Sequence, residues 1–508
     1  MTERRPEPRR PRSPGRPQRS RQTPAERGRS GDPARLAAYT VMRAVADGGY
    51  ANIELPKELR RRHLRGRDAA FATELTYGAT RLRGFYDPVI ALAADRPVSR
   101  IDGSVLDTLR LGAHQLLGMR VPAHAAADET VALARAVNGA GASGLVNAVM
   151  RRISEADRDA WLARVLPPEH DAVERLAIAH SHPVWIVKAL RQALLGHGAS
   201  TPATADADLG ELLSADNAPP DVQLVGRPGL CDPLELIEAG ARPHRHVRTA
   251  FVLTAGDPGA IGAIREGRAA FQDAGSQLVA LALAAAPRSV ADGGPAGGRG
   301  PGGRERWLDL CAGPGGKAGL LAALAAERGA DLVANEVAPH RADLVARTLV
   351  PAAARARDLG LALEVRTGDG REVGGVEPAA YDRILVDAPC TGLGALRRRP
   401  EARWRRTPQD LASLGVLQRA LLTSALAAVA PGGIVAYATC SPHLAETTFV
   451  VADVLKRHPD VDQFDARPVV AEVTDGWAEA LGAGPAVQLW PHVHGTDGMF
   501  LALLRRRR

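Results

Sequence analysis

Four cysteines occur in the 508 residues, and two of them lie where a thiol could do chemistry. Cys390 ends the run Asp387-Ala388-Pro389-Cys390, and Cys440 sits in Tyr437-Ala438-Thr439-Cys440-Ser441-Pro442. Each follows a segment that reads as a strand, YDRILVD (381–387) and GIVAYAT (433–439). A thiolate is reactive near neutral pH and can attack carbon covalently, splitting one difficult step into two easier ones. Asp387 adds a carboxylate at the first of these strand ends. Two purely structural cysteines at two such ends, in a chain with so few, would be an unusual coincidence. None of the four stands in a CxxC or CxxH pair, so neither a metal site nor a disulfide framework is expected. Cys231 reads as a small buried hydrophobe.

A second constellation would hold a ligand. Asp309-Leu310-Cys311-Ala312-Gly313-Pro314-Gly315-Gly316-Lys317 runs from a strand into a helix. Glycines there let the backbone approach a ligand closely, and the helix N-terminus favours a negative group. The chain has 65 basic residues, yet only Lys57, Lys188, Lys317 and Lys456 are lysines, so a lysine inside this turn stands out. Glu336 ends the next strand, where a carboxylate can accept hydrogen bonds from both ribose hydroxyls of an adenosine-containing ligand. Asp369, in Gly368-Asp369-Gly370-Arg371 after the third strand, could hold an adenine amino group.

These residues need a scaffold that brings them to one edge. From about residue 261 onward, the strands RWLDLC (306–311), DLVANE (331–336), LALEVRT (361–367), YDRILVD and GIVAYAT alternate with helical stretches. That order predicts a parallel α/β sheet covered on both faces, with ligands at its carboxyl edge. Residues 34–155 follow helical spacing and form an all-α unit. Residues 156–260 read as linker helices and a small α/β, RNA-recognition-like module, with a helix at 182–194 and strands at 222–228 and 249–254. Residues 1–33 read as a disordered basic tail, since ten arginines face three glutamates in the first 30 residues. That tail carries nearly all of the formal net charge of +8, so charge alone is weak support for nucleic-acid binding. GGPAGGRGPGG (293–303) reads as a mobile loop before the first strand. LRRRPEARWRR (396–406), with Trp404 among its arginines, suits phosphate contact and base stacking. No stretch reaches the roughly 18 uninterrupted apolar residues of a membrane span, and the basic N-terminus has no apolar core behind it. A cytoplasmic protein is expected.

The segments RDAAFATELTYGATR (67–81), LDTLRLGAHQLL (106–117), VPAHAAADETVALAR (121–135) and GLVNAVMRRI (144–153) resemble the helical domain of NusB, a transcription antitermination factor that binds RNA. LDLCAGPGGK, YDRILVDAPCTGLGALRRRP and YATCSPHLAETTFVV, with the closing DGMFLALLRR (497–506), resemble the RNA cytosine-5 methyltransferases of the NOL1/NOP2/Sun family. The NusB-like front end narrows the resemblance to the bacterial RsmB (Sun, Fmu) branch, which modifies small-subunit ribosomal RNA. The resemblance covers residues 34–508.

It implies a multidomain fold, an all-α NusB-like domain followed by an α/β Rossmann-like class I S-adenosylmethionine-dependent methyltransferase domain over 261–508. The cofactor, S-adenosyl-L-methionine, would be held by Cys311, Ala312, Gly313, Pro314, Gly315, Gly316 and Lys317, with Glu336, Asp369 and Asp387. Cys440 would be the nucleophile at carbon 6 of a cytosine, Cys390 would serve proton removal or product release, and Asp387 would contact the cytosine N3 edge. A monomer acting on 16S ribosomal RNA, with no membrane partner, is the matching expectation. Cys390 as nucleophile, after the Pro-Cys motif of DNA cytosine methyltransferases, is the other assignment, and the Thr-Cys-Ser motif argues against it. The same chemistry on transfer RNA, or a non-catalytic RNA-binding role in ribosome assembly, are the alternative functions. Members of the family often carry alanine where Gly313 stands and aspartate where Glu336 stands. His443-Leu444-Ala445-Glu446 is a looser version of their Pro-Glu-Glu-Asn-like segment.

Overall fold

The computed structural model describes residues 31–119, 121–166, 171–254, 256, 258–288 and 298–507. The expected disordered tail lies outside the described residues up to position 30, as do positions 293–297 of the glycine-rich stretch. Its remainder is not free. Pro301–Gly303 forms a short 3₁₀ turn, and the Arg299 N–H donates to Asp382 Oδ2 at 2.7 Å, which ties this part to the sheet.

The first unit packs α1 (Pro33–Ala46), α2 (Ala51–Arg61), α3 (Gly66–Arg81), α4 (Arg83–Ala94), α5 (Gly103–Leu117), α6 (Ala123–Val137) and α7 (Ala140–Ile153). Asp32 caps α1 by accepting from the Arg35 N–H, with Pro33 in the first turn, and Asp102 caps α5 through the Ser104 N–H. Val89 and Ile90 of α4, Leu109 and Ala113 of α5, Val131 of α6 and Val146 and Met150 of α7 share one buried core. Four helices follow, α8 (Arg158–Val165), α9 (Ala172–Ala179), α10 (Val184–Gly196) and α11 (Ala205–Asn217). Ile186, Leu190, Leu209 and Leu213 of the last two pack against Leu393, Leu396 and Trp490 of the C-terminal domain.

A four-stranded antiparallel sheet comes next, from β1 (Val222–Gly226), β2 (Ala241–Pro243), β3 (Ala250–Leu253) and β4 (Ala269–Phe271), in the order β2-β3-β1-β4. The expected boundary at residue 260 needs correction, because β4 pairs with β1 beyond it. Its three residues were too short to show a strand period, and they run straight into α12 (Ala274–Ala285).

The large sheet contains β5 (Arg306–Asp309), β6 (Asp331–Glu336), β7 (Leu363–Thr367), β8 (Tyr381–Asp387), β9 (Val429–Thr439), β10 (Val461–Phe464), β11 (Val487–Gln488) and β12 (Phe500–Arg506). Its order is β10-β12-β9-β8-β5-β6-β7, with β11 on β12. β9, β8, β5, β6 and β7 are mutually parallel, but β12 runs antiparallel to β9 and to β10. The five strands expected to be parallel are so, and the antiparallel β12, with β10 and β11 on it, makes the sheet mixed. α13 (Gly316–Glu327), α14 (Pro339–Asp358) and α15 (Pro408–Ala428) cover it with α12. Successive strand residues serve opposite faces, as the two-residue period requires. Trp307, Leu385, Ile434 and Ala436 join the core under α12 to α14. Leu308, Ile384, Val386, Val435 and Tyr437 join the core under α15.

α15 has 21 residues and is apolar enough, by length and composition, to cross a membrane. It packs Leu421, Leu422, Ala425 and Leu426 into the sheet core.

Strand order reverses at β5, which has β6 and β7 on one side and β8 and β9 on the other. A crevice opens outside the carboxyl ends of the strands at such a switch point. Every candidate residue lies on or just after one of these five strand ends.

Candidate active site

The β8–β9 register pairs Asp387 with Ala438, so the loops carrying Cys390 and Cys440 leave the sheet side by side. The two sulfurs stand 3.4 Å apart, within thiol hydrogen-bond range. Lys317 Nζ donates to Asp387 Oδ2 at 2.9 Å and joins the first loop to the glycine-rich turn. Burial opposes the charge on Lys317, but Asp387, Cys440 and Asp309 more than offset it and raise its pKa.

The two thiols are pushed in opposite directions. The hydrogen bond from Cys390, with the nearby charges of Lys317 and Arg399, holds Cys440 below the usual thiol range against burial and Asp387. The same hydrogen bond, followed by burial, raises Cys390 well above that range. Of the two, Cys440 is the thiol whose ionisation the surroundings favour. Cys311 is a different case, because burial and the neighbouring Asp309 drive its thiol up and keep it protonated.

The glycine-rich turn follows β5 directly. Gly313–Pro314 is cis, and Gly315 sits at φ +113° as the residue that opens α13, a conformation glycine adopts without strain. Glu336, at the end of β6 and only 3% exposed, accepts from the Gly313 N–H at 3.0 Å and from the Ala338 N–H at 3.0 Å. Arg341 reaches both the Glu336 carboxylate and the Gly313 carbonyl. Asp369 lies beyond β7, held below the usual carboxylate range by Arg371, whose side chain and N–H both donate to it.

Adding a Cβ at Gly313 would place it 2.2 Å from Glu336 Oε2. An alanine methyl there would need the space that the Glu336 carboxylate occupies, and an aspartate, one methylene shorter, would draw that carboxylate back. Gly313→Ala alone should weaken S-adenosylmethionine binding about tenfold or more, the cost expected when an extra methyl is forced into packed surroundings. Combining it with Glu336→Asp should recover most of that loss. Calorimetric titration of the single and double variants measures the coupling, and strictly additive losses would refute it.

The residues present suit S-adenosylmethionine. Asp309, with the Cys311 backbone beside it, is fully buried at the end of β5. Burial, reinforced by Asp387 and opposed by Lys317, pushes it up to about 8. Asn335 donates to the Leu310 and Gly368 carbonyls at 3.1 and 3.0 Å, joining three strand ends, while its buried Oδ1 is unpartnered. The carboxylates of Glu336 and Asp387 at this edge suit a sulfonium cation, and Asn335 Oδ1 remains a buried acceptor without a partner. Asp309 opens the glycine-rich motif in the sequence but is not among the residues expected to hold the cofactor, and Asn335 does not stand out at all. A polar residue inside an otherwise apolar strand was the only available signal.

The arginine run is not the nucleic-acid face that its composition suggests. Arg397 and Arg398 pair with the buried Asp273 and Asp497. Arg403 is 1% exposed, Trp404 Nε1 donates to the Thr80 carbonyl at 2.8 Å, and Arg405 reaches the Val45 and Gly49 carbonyls. The segment is a strap that fastens the helical unit to the catalytic edge. Arg399 is exposed and, among the described residues, has no side-chain hydrogen bond or ion pair, and its charge acts on Cys440.

The family described as 16S rRNA methyltransferase RsmB/F matches residues 300–505, and the NusB family matches residues 32–155. Rv1407 of Mycobacterium tuberculosis, named as a candidate methyltransferase, is 48% identical over 490 residues, covering 95% of this chain and 99% of its own. The ribosomal RNA small subunit methyltransferase B of Klebsiella pneumoniae is 30% identical over 93% of this chain and 98% of its own. That of Pseudomonas syringae is 31% identical over 92% and 96%. The crystal structure of PH0851 shares the fold at a TM-score of 0.71 and 20% identity, covering 94% of this chain and 99% of that one.

Proposed function

The chain belongs to the RsmB/F family of S-adenosylmethionine-dependent ribosomal RNA methyltransferases, and from that premise we propose that it methylates carbon 5 of a cytosine in 16S ribosomal RNA with Cys440 as covalent nucleophile. The observation that carries this reading is the pair of sulfurs 3.4 Å apart, beside the Lys317–Asp387 bridge to the glycine turn.

Carbon 5 of cytosine is a poor nucleophile. Addition of the Cys440 thiolate to carbon 6 moves an electron pair toward N3 and makes carbon 5 enamine-like. Asp387 hydrogen-bonds the N3 edge and favours its protonation as the adduct forms. Bound S-adenosylmethionine supplies the electrophilic methyl group. Cys390, 3.4 Å from the nucleophile, is the group placed to act as base once its own proton has passed to solvent. Its thiolate then removes the carbon-5 proton, the pair returns to the ring, and Cys440 is expelled from carbon 6. Both carbons are reachable only in an unpaired or flipped nucleotide.

Small-subunit RNA is the substrate that the relatives' names give. A cytoplasmic enzyme with no membrane partner fits that substrate. Bisulfite mapping of 16S ribosomal RNA from cells with and without this chain should show one protected cytosine lost in its absence. An unchanged map would remove the ribosomal assignment, and transfer RNA from the same cells would test the remaining substrate.

A further inference from the structure

We propose that Glu446 is the positioning residue that sets the spacing of the two thiols, holding the Cys390 loop to the Cys440 loop through its carboxylate. The inference rests on the two-thiol reading above. Glu446 lies six residues after Cys440 and is fully buried. Its backbone carbonyl accepts from the Tyr437 hydroxyl at 2.7 Å, which anchors it to β9 three residues before the nucleophile. Its side chain points the other way. Oε1 accepts from the Thr391 N–H at 2.8 Å, and Oε2 accepts from the Thr391 hydroxyl, immediately after Cys390. Gln418 of α15 donates to Oε1 at 3.2 Å and to the Pro389 carbonyl at 2.8 Å, immediately before Cys390. Residues on both sides of Cys390 are thus tied to one carboxylate that is itself fixed to β9.

A second contact follows the same path, with Thr391 Oγ1 and Ser441 Oγ 3.2 Å apart. A carboxylate suits this position because it offers only acceptors, and the three donors that face it come from Thr391 and Gln418. A glutamine would aim two of its own N–H groups at those donors. The charge also helps keep Cys390 protonated, as the donor to Cys440 must be.

The clamp predicts a change in sulfur spacing that an ordinary buried residue would not cause. In the full-length protein without RNA, diamide should oxidise Cys390 and Cys440 to a disulfide, with the diazene reduced to the hydrazine and peptide mapping reading the rate. Glu446→Gln should slow this bond formation about tenfold and lower kcat about 100-fold, the scale expected for a misplacement on the order of 1 Å, with KM for RNA and cofactor affinity within about twofold. Thr391→Val, which removes one donor, should fall between, and Thr391→Ser should recover most of what Thr391→Val loses. Wild-type disulfide rates in Glu446→Gln would overturn the clamp, as would a faster rate with a lowered Tm, the mark of general loosening. If the wild-type protein proved inactive on cytosine, the reaction assignment would fall, and the disulfide rates would still decide the clamp.

Discussion

Cys440→Ala will abolish methyl transfer and leave no RNA–protein adduct on a denaturing gel, while Cys390→Ala will stall with the adduct intact. Loss of a covalent nucleophile removes the reaction path rather than slowing one step, so turnover should fall by at least about 10⁴-fold. Loss of the base leaves addition and methyl transfer possible and blocks resolution, a deficit of about 10² to 10⁴-fold, the usual worth of a positioned proton acceptor. The asymmetry follows from the sulfur pair. The hydrogen bond from Cys390 and nearby cations lower the Cys440 thiol, whereas the same hydrogen bond and burial raise Cys390. The opposite pattern, with the adduct surviving in Cys440→Ala, would exchange the two roles. A pH dependence follows with a definite sign. The thiolate fraction of Cys440 rises with pH and saturates once its lowered pKa is passed, so kcat/KM should rise with pH and level off at a lower pH than an unperturbed cysteine would give. Arg399→Ala removes one of the cations and should move that plateau to higher pH.

Parts of this geometry could be read from the chain because they depend on local order. β6 and β8 end on Glu336 and Asp387, as strand runs bounded by turn residues predict. The convergence of the two thiols follows from parallel neighbours whose loops leave the same edge. β9 begins at Val429, earlier than expected, because Pro431-Gly432-Gly433 looks like a break. An irregularity opposite, between Tyr381 and Arg383, absorbs that stretch. The direction of β12 was hidden for another reason. Its residues Phe500 to Leu504 are all buried, and a continuous apolar run carries no mark of strand direction. Glu446 was visible only as part of a loosely matching motif, since its partners come from a different strand's loop and from α15. The arginine run misled most. Charge in a sequence does not reveal whether it meets water or carbonyl groups, and the acceptors for Arg403 lie at Arg81, Ser181, Asp216 and Asn217.

That burial sets up the second large effect. Arg403→Met should cost about 3–5 kcal/mol, the range for breaking a buried charge–polar network by removing one member. Nη1 donates to the Asn217 side chain at 2.8 Å and to the Ser181 carbonyl at 3.0 Å, and Nη2 donates to the Asp216 carbonyl at 3.1 Å. Burial pulls the guanidinium down to about 9, still protonated at neutral pH, and pushes the nearby Asp216 up to about 7 against the pull of Arg403. Methionine would fill similar volume, leave these acceptors unsatisfied and take away the charge that partly offsets the one on Asp216. A carboxyl raised on folding contributes stability that is complete below its unfolded pKa and is lost as pH rises through the folded one. Without Arg403 that folded value climbs further, so the Arg403→Met deficit should be largest near about pH 8 and shrink on acidification toward about pH 5, where Asp216 is protonated in both proteins. The first urea-unfolding transition at the two pH values reads both the size and the sign. Arg419→Ala, which removes a half-exposed pair with Asp453, is the control and should cost under about 1 kcal/mol. A deficit in Arg403→Met no larger than this control, or one that grows on acidification, would refute the argument. The consequence for function is directional. Arg403 anchors the strap that carries Arg399 and, through Arg406 Nε at 3.2 Å from the Thr391 carbonyl, touches the Cys390 loop. Arg403→Met should therefore impair RNA methylation more than S-adenosylmethionine binding, because the glycine turn joins β5 to α13, whereas the strap follows β8.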